Sequence, residues 1–113
     1  MARAATTSDV FNAIAEPRRR EIIAILARGE RPVGEIVRAL RIPQPAASKH
    51  LGVLRKVRLV SVTRRGRSRL YRLNPVELKT VYDWTKEYEQ FWNNQINRIK
   101  ARAEAKAREA KKD

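Results

Sequence analysis

The residues best equipped for chemistry in this chain lie between Gln44 and Val57, in the string Q-P-A-A-S-K-H-L-G-V-L-R-K-V. The chemistry they offer is recognition rather than catalysis. An enzyme needs a nucleophile, a base and an orienting group, yet His50 is the only histidine and Ser48, two residues earlier, cannot face it on a helix. There is no cysteine, no Gly-rich phosphate loop, no paired carboxylate cleft and no cluster with metal-ligand spacing. No cofactor and no metal are therefore expected. At 100° per residue, Ala47, Leu51, Leu54 and Arg58 fall on one face of a helix, and Pro45, Ala46, Lys49, Gly52 and Lys56 fall opposite. The small side chains of Ala46 and Ser48 let the backbone approach a partner closely, while Lys49 and Lys56 can reach phosphate. His50 sits at the border of the packed face, where it packs or touches phosphate. Such a face suits a DNA major groove.

A second cluster lies further on, in R-R-G-R-S followed by R-L-Y-R-L. It carries Arg64, Arg65, Arg67, Arg69 and Arg72 with no acid among them. Charge often protects an edge strand, but protection does not need five arginines, and Arg is the better side chain for gripping phosphate or a narrow minor groove.

The elements that must position these clusters follow from the flanking pattern. Pro43 stops a helix predicted over Val33 to Leu40, and Pro45 is expected at the first position of the next, so the pair has the size and short turn of a helix-turn-helix. Leu59 to Thr63 and Arg69 to Leu73 alternate as half-buried strands around Gly66, which marks a hairpin. Upstream, Ser8 is expected to cap a short helix through Ala15 with Val10, Phe11 and Ile14 as its apolar edge. A second helix should start at Pro17 and run to Gly29 with Ile22, Ile23 and Leu26 as core. The Arg18, Arg19, Arg20 triplet reads either as a phosphate clamp or as a solvated face.

The chain has 113 residues, 42% of them hydrophobic, which suits one domain with one modest core. A net charge of +14 points to a polyanionic partner. Residues 1–73 carry 17 Lys and Arg against 5 Asp and Glu, whereas residues 74–113 carry 9 against 7, so the polyanion site belongs to the first two-thirds. No run of residues is long and apolar enough for a membrane span or a leader peptide, and the expectation is a soluble, cytoplasmic protein without a membrane partner.

Pro75 breaks the second strand, and a long helix is predicted from about Val76 to at least Ile99. Val81, Trp84, Tyr88, Phe91, Trp92, Ile96 and Ile99 lie in an apolar arc close to 180° wide. One packing contact needs a stripe of roughly 100°, so the surplus implies a second copy of the chain. With Phe11 of the first helix, these residues are the expected dimer interface. Residues 100–113 contain strong helix formers without a large apolar side chain and are expected to be a frayed, solvated tail.

The order of these elements and three strings together resemble the arsenic-repressor (ArsR) family of winged-helix transcriptional regulators. The strings are A-E-P-R-R-R-E-I-I-A-I-L, I-P-Q-P-A-A-S-K-H-L-G-V-L-R-K-V-R-L-V and R-R-G-R-S-R-L-Y-R-L, and the resemblance covers about Asp9 to Leu73. It implies a mainly α fold with a small β-hairpin, a winged helix-turn-helix dimerising through the long C-terminal helix. It also implies a homodimer that represses by occupying an operator in double-stranded DNA. Gln44, Ser48, Lys49 and His50 would act at the recognition helix, with Gln44 and Ser48 on base edges, and Arg65 and Arg67 at the wing. Residues 1–75 would form the DNA-binding part, 76–99 the dimerisation helix of the same domain, and 100–113 the tail. Two features set the chain apart from the family's metal sensors. Pro32, Val33 and Gly34 stand where those carry Cys-x-Cys, and Asp83, Glu87 and Glu89 of the last helix have no accompanying histidine. The resemblance is thus to members without recognised metal ligands, and it leaves room for a small-molecule effector of unnamed chemistry. The competing reading is a protein that coats DNA, or binds RNA, through phosphate contacts alone.

Overall fold

The computed structural model describes residues 9–112, in two compact units divided between Val81 and Tyr82. In the first unit, α1 (Val10–Ile14) is capped by Asp9, whose carboxylate accepts from Asn12 N at 2.7 Å. The cap is therefore Asp9; Ser8 lies outside the described residues. Glu16 caps α2 (Pro17–Leu26) by accepting from Arg18 N, also at 2.7 Å. This helix ends earlier than expected, because after the i→i−4 bond of Ala27 to Ile23 the chain tightens to i→i−3 bonds from Arg28 to Ile25 and Gly29 to Leu26. Gly29 then turns the chain out at φ +143°, a conformation that favours glycine.

Next come β1 (Arg31–Pro32), α3 (Val33–Leu40) and α4 (Gln44–Lys56), the last two forming the expected helix-turn-helix. Arg41 ends α3 in the left-handed region, φ 55° and ψ 44°, its N–H bonded to Val37 O. Glycine usually takes this place at a helix end, so an arginine here holds a conformation that costs an L-residue roughly 1–2 kcal/mol. Pro43 is the N-cap of α4 and supplies no side-chain bond; Pro45 stands one position later than expected, at the second helical residue. Lacking an N–H, it loses nothing there.

Strands β2 (Val60–Arg65) and β3 (Ser68–Leu73) pair antiparallel from Val60↔Leu73 to Arg65↔Ser68. Gly66 at φ +59° and Arg67 make the two-residue turn, with glycine at the first central position as a II′ hairpin requires. β1, which the sequence did not announce, adds to β3 through Arg31↔Tyr71 and Pro32↔Leu70, giving the order β1-β3-β2.

The core lies under the sheet and helices. Ile22, Ile36, Leu51, Leu54 and Leu59 are fully buried, joined by Val10, Ala13, Leu26, Ala47, Val57, Val60 and Tyr71. Ala47, Leu51 and Leu54 thus form the inward face of α4 as their spacing required. Arg58 does not share that face. It lies beyond the helix end, exposed and left-handed at φ 66°, and Val57 and Leu59 fill the core on either side of it. Truncating Leu51 or Leu54 to Ala would cost about 2–5 kcal/mol.

The predicted long helix is interrupted. A 3-10 turn (Pro75–Leu78) leads into α5 (Lys79–Lys86), and α6 (Glu89–Lys112) follows after a break at Glu87 and Tyr88. There the bonds shorten to i→i+3, with Tyr88 N on Thr85 O and Phe91 N on Tyr88 O, both at 2.9 Å. α6 also continues to Lys112, well past Ile99, so residues 100–112 are helix rather than frayed chain. Alanine-rich sequence with interleaved Glu, Lys and Arg is sufficient reason. The whole is mainly helical with a small antiparallel sheet, a winged helix-turn-helix carrying a long C-terminal helix.

Candidate nucleic-acid interface

The amino end of α4 and the tip of the hairpin meet across one groove. Its volume is about 290 Å³, and its walls are Gln44 and Ser48 of α4, Arg67, Ser68, Arg69 and Tyr71 of the hairpin, and Pro32 and Val33 where β1 runs into α3. Four of the expected contact residues, Gln44, Ser48, Arg67 and Arg69, are therefore brought together from two distant parts of the sequence. All four are exposed. Hydrogen-bonding side chains face cationic ones across a slot open to solvent, and no side chain caps α4. The positive end of the helix dipole is thereby left free for an anion.

The other candidates are placed around this groove. Pro45 and Lys49 are exposed and Ala46 half-buried on α4, while Lys56 is exposed at its far end, about 18 Å along the axis from Gln44. Arg65 reaches Glu30 at 3.8 Å, so the wing does have one acid beside it, supplied by the loop before β1. With Arg65 71% exposed, that pair contributes at most about 1 kcal/mol. Arg64 is directly opposite Arg69 in the register. Like charges so placed destabilise a hairpin, and neither has an acid near it among the described residues.

His50 is half-buried, with its Nδ1 3.5 Å from Nη1 of Arg19. Arg19 also donates through Nε to Ala13 O and through Nη2 to Asn12 O, while Arg20 donates to Ile14 O at 2.8 Å and Ala15 O at 3.1 Å. Two guanidiniums thus take up the four carbonyls that end α1, and Arg18 pairs with Glu21 at 3.0 Å. Of the arginine triplet, Arg19 and Arg20 thus join α2 to α1, and Arg19 also reaches α4, whereas Arg18 stays on the solvated face beside Glu21. Sequence reasoning did not find the carbonyl partners, since the orphan acceptors of a five-residue helix leave no mark in composition. It also missed Pro32 and Val33; Tyr71 could have been found, because period-2 alternation on β3 puts it beside Arg69.

In the second unit a stripe of large apolar side chains faces solvent: Tyr82, Trp84, Tyr88, Phe91, Trp92, Ile96 and Ile99 are 40–67% exposed. Trp84 meets Tyr88 edge-on at 5.6 Å between ring centroids, and Tyr88 meets Phe91 at 6.3 Å. Phe11 is 39% exposed on α1. Val81, expected with this stripe, packs instead against the core of the first unit. Among the described residues no three His, Asp or Glu converge as a metal site, and no helix is long and apolar enough to cross a membrane.

Residues 16–62 match the model of the bacterial regulatory protein, arsR family. The transcriptional repressor SdpR of Bacillus subtilis is 34% identical over 77 residues, 68% of this chain and 86% of the relative. An HTH-type transcriptional regulator of Mycobacterium tuberculosis is 36% identical over 86 residues, 76% of this chain and 78% of the relative. Among solved structures, an ArsR-like transcriptional regulator from Rhodococcus sp. RHA1 superposes with a TM-score of 0.65 at 27% identity, covering 88% of this chain and 94% of that one. HlyU from Vibrio cholerae gives 0.60 at 28% identity, over 78% and 97%.

Proposed function

Because the chain belongs to the arsR family of bacterial transcriptional regulators, which bind DNA and are not enzymes, we propose that it acts as a cytoplasmic homodimeric repressor on an inverted-repeat operator. The observation that carries this reading is the groove in which Gln44 and Ser48 of α4 face Arg67 and Arg69 of the wing. A protein that only coats DNA needs positive surface. A reader of sequence needs hydrogen-bonding side chains held in register with that surface, and the groove supplies both.

In this reading α4 enters the major groove with its uncapped amino end foremost. Gln44 and Ser48 bond base edges, Pro45 and Ala46 keep the backbone close, and Lys49 and Lys56 hold phosphates. His50, on the flank of α4, has Arg19 of α2 within 3.5 Å and contributes by orientation. Arg64, Arg65, Arg67 and Arg69 grip backbone or minor groove from the wing. The exposed stripe from Tyr82 to Ile99 pairs with a second copy. Contiguous aromatic surface of this extent is unfavourable in water, and residues 74–113 carry 9 basic against 7 acidic side chains, so the repulsion between two copies along this segment is small beside that of the strongly basic residues 1–73. Release from DNA is not assigned to a metal ion, since thiolates are lacking and Asp83, Glu87 and Glu89 have no histidine beside them. A small-molecule effector remains the alternative signal.

The test is a footprint over the gene's own upstream region followed by titration of matched and scrambled duplexes. Two protected half-sites about 10–11 base pairs apart centre to centre, or a small multiple, are expected from two-fold symmetry. Equal affinity for every duplex would instead favour the coating protein.

A further inference from the structure

At the far end of α4 from the groove lies a second basic cavity, of about 380 Å³, lined by Arg55, Arg58, Val60, Ser61, Val62 and Asn74. The hydroxyl of Ser61 is shielded from solvent and has no hydrogen-bond partner, the single buried side-chain polar atom in that condition among the described residues. A native protein tolerates such a group rarely, because leaving it unpaired costs about 1–3 kcal/mol. Arg55 and Arg58 likewise form no ion pair among the described residues. Arg58 is held in the left-handed region at φ 66°. Its carbonyl receives the Asn74 side-chain amide at 3.2 Å, while Asn74 N donates to Leu59 O at 2.8 Å. Thus two independent bonds from Asn74 hold the strained segment that presents Arg58. Arg72 stands opposite Ser61 in the β2–β3 register and so on the same face of the sheet. The acid nearest in sequence is Glu77, whose backbone N–H bonds Asn74 O at 3.4 Å.

An orphan hydroxyl and unneutralised guanidiniums at one place are two costs with one remedy, and the strained backbone held by Asn74 is what presents one of those guanidiniums. We propose that Arg55, Arg58 and Ser61 form a binding site for a phosphate-type oxyanion. Two guanidiniums supply charge and paired N–H donors, and rotation of Ser61 about its first side-chain torsion turns its hydroxyl towards the cavity as a third donor. Two guanidiniums are needed because the carboxyl end of α4 contributes partial negative charge. The site does not depend on the operator reading. It lies roughly one helix length from the groove, and its phosphate comes either from a free anion or from DNA backbone beyond the half-site.

Isothermal titration of the full chain with inorganic phosphate, against sodium chloride at matched ionic strength, decides the first source. One phosphate per chain is expected, weakened at least about 10-fold in Arg58→Gly, which keeps the left-handed backbone and removes the guanidinium, and about 5-fold in Ser61→Ala. Thermal melts of both variants without phosphate control for folding. Salt titration of DNA binding decides the second source, where Arg55→Gln should lower the log-log slope by about 1 per subunit. Binding lost with the slope intact identifies a free anion, and the slope lowered without phosphate binding identifies DNA. Wild type that takes up no phosphate while Arg55→Gln leaves the salt slope unaltered, or phosphate that binds wild type and variants alike, overturns the proposal. Wild type that takes phosphate but no DNA would overturn the operator reading and leave this site standing.

Discussion

Arg69→Thr should make the free protein more stable and its complex with DNA weaker. Arg69 faces Arg64 across the hairpin, and neither forms an ion pair among the described residues. With guanidiniums splayed to about 7 Å in water, the Coulomb repulsion is about 0.6 kcal/mol, reduced by screening at 0.15 M salt to about 0.3 kcal/mol. Threonine adds strand preference in place of a charge. A gain of about 0.2–0.5 kcal/mol in a unit of this size raises Tm by about 1–4 °C. The same substitution removes one phosphate contact per subunit, so the log-log salt slope should fall by about 0.9 per subunit and affinity at 0.15 M by about 5-fold per contact, some 30-fold for a dimer. Arg69→Lys is the control, since it keeps charge and should leave slope and Tm nearly unchanged. Calorimetric melting of the free protein and fluorescence anisotropy with an operator duplex at four salt concentrations measure both. A variant that melts lower than wild type, or binds with an unaltered slope, refutes the argument that the arginine pair is kept for its partner at the expense of the hairpin.

Gln44→Ala and Ser48→Ala should each cost about 1–3 kcal/mol of discrimination at one base pair with little change in salt slope, read by titrating single-substituted duplexes. Trp92→Glu places a charge in the exposed apolar stripe and should yield monomer or aggregate in sedimentation; an unaltered dimer would move the interface elsewhere. Zinc or arsenite at low micromolar concentration should leave operator affinity unchanged, and a loss reversed by chelation would contradict the absence of a thiolate site.

The inward face of α4, the helix-turn-helix and the hairpin were legible because period 3.6 and period 2 leave strong marks, as Ala47, Leu51 and Leu54 do. Where the reading departs from the structure, the reason is that one residue's conformation outweighed its pattern. Arg58 fitted the packed face by angle but adopts positive φ after the helix ends. β1 is two residues long, too short for alternation, and exists only because β3 is there to receive it. The break at Glu87 and Tyr88 carries neither glycine nor proline, so nothing in the sequence marks it. Glu30 beside Arg65 and Arg19 beside His50 are long-range pairs, which a linear pattern does not encode. The groove itself was implied only as two clusters; that they share walls is a property of the fold.

Arg19 ties the carbonyl end of α1 to the flank of the helix that would enter DNA, and so it gives two surfaces one shared side chain through which they can be coupled. Whatever docks on α1, where Phe11 is 39% exposed, and whatever binds α4 act on one guanidinium. If the first changes affinity for the second by some factor, the second must change affinity for the first by the same factor. Arg19→Lys cannot span Ala13 O, Asn12 O and His50 with a single ammonium, so it should reduce that factor towards unity while leaving each affinity measurable on its own.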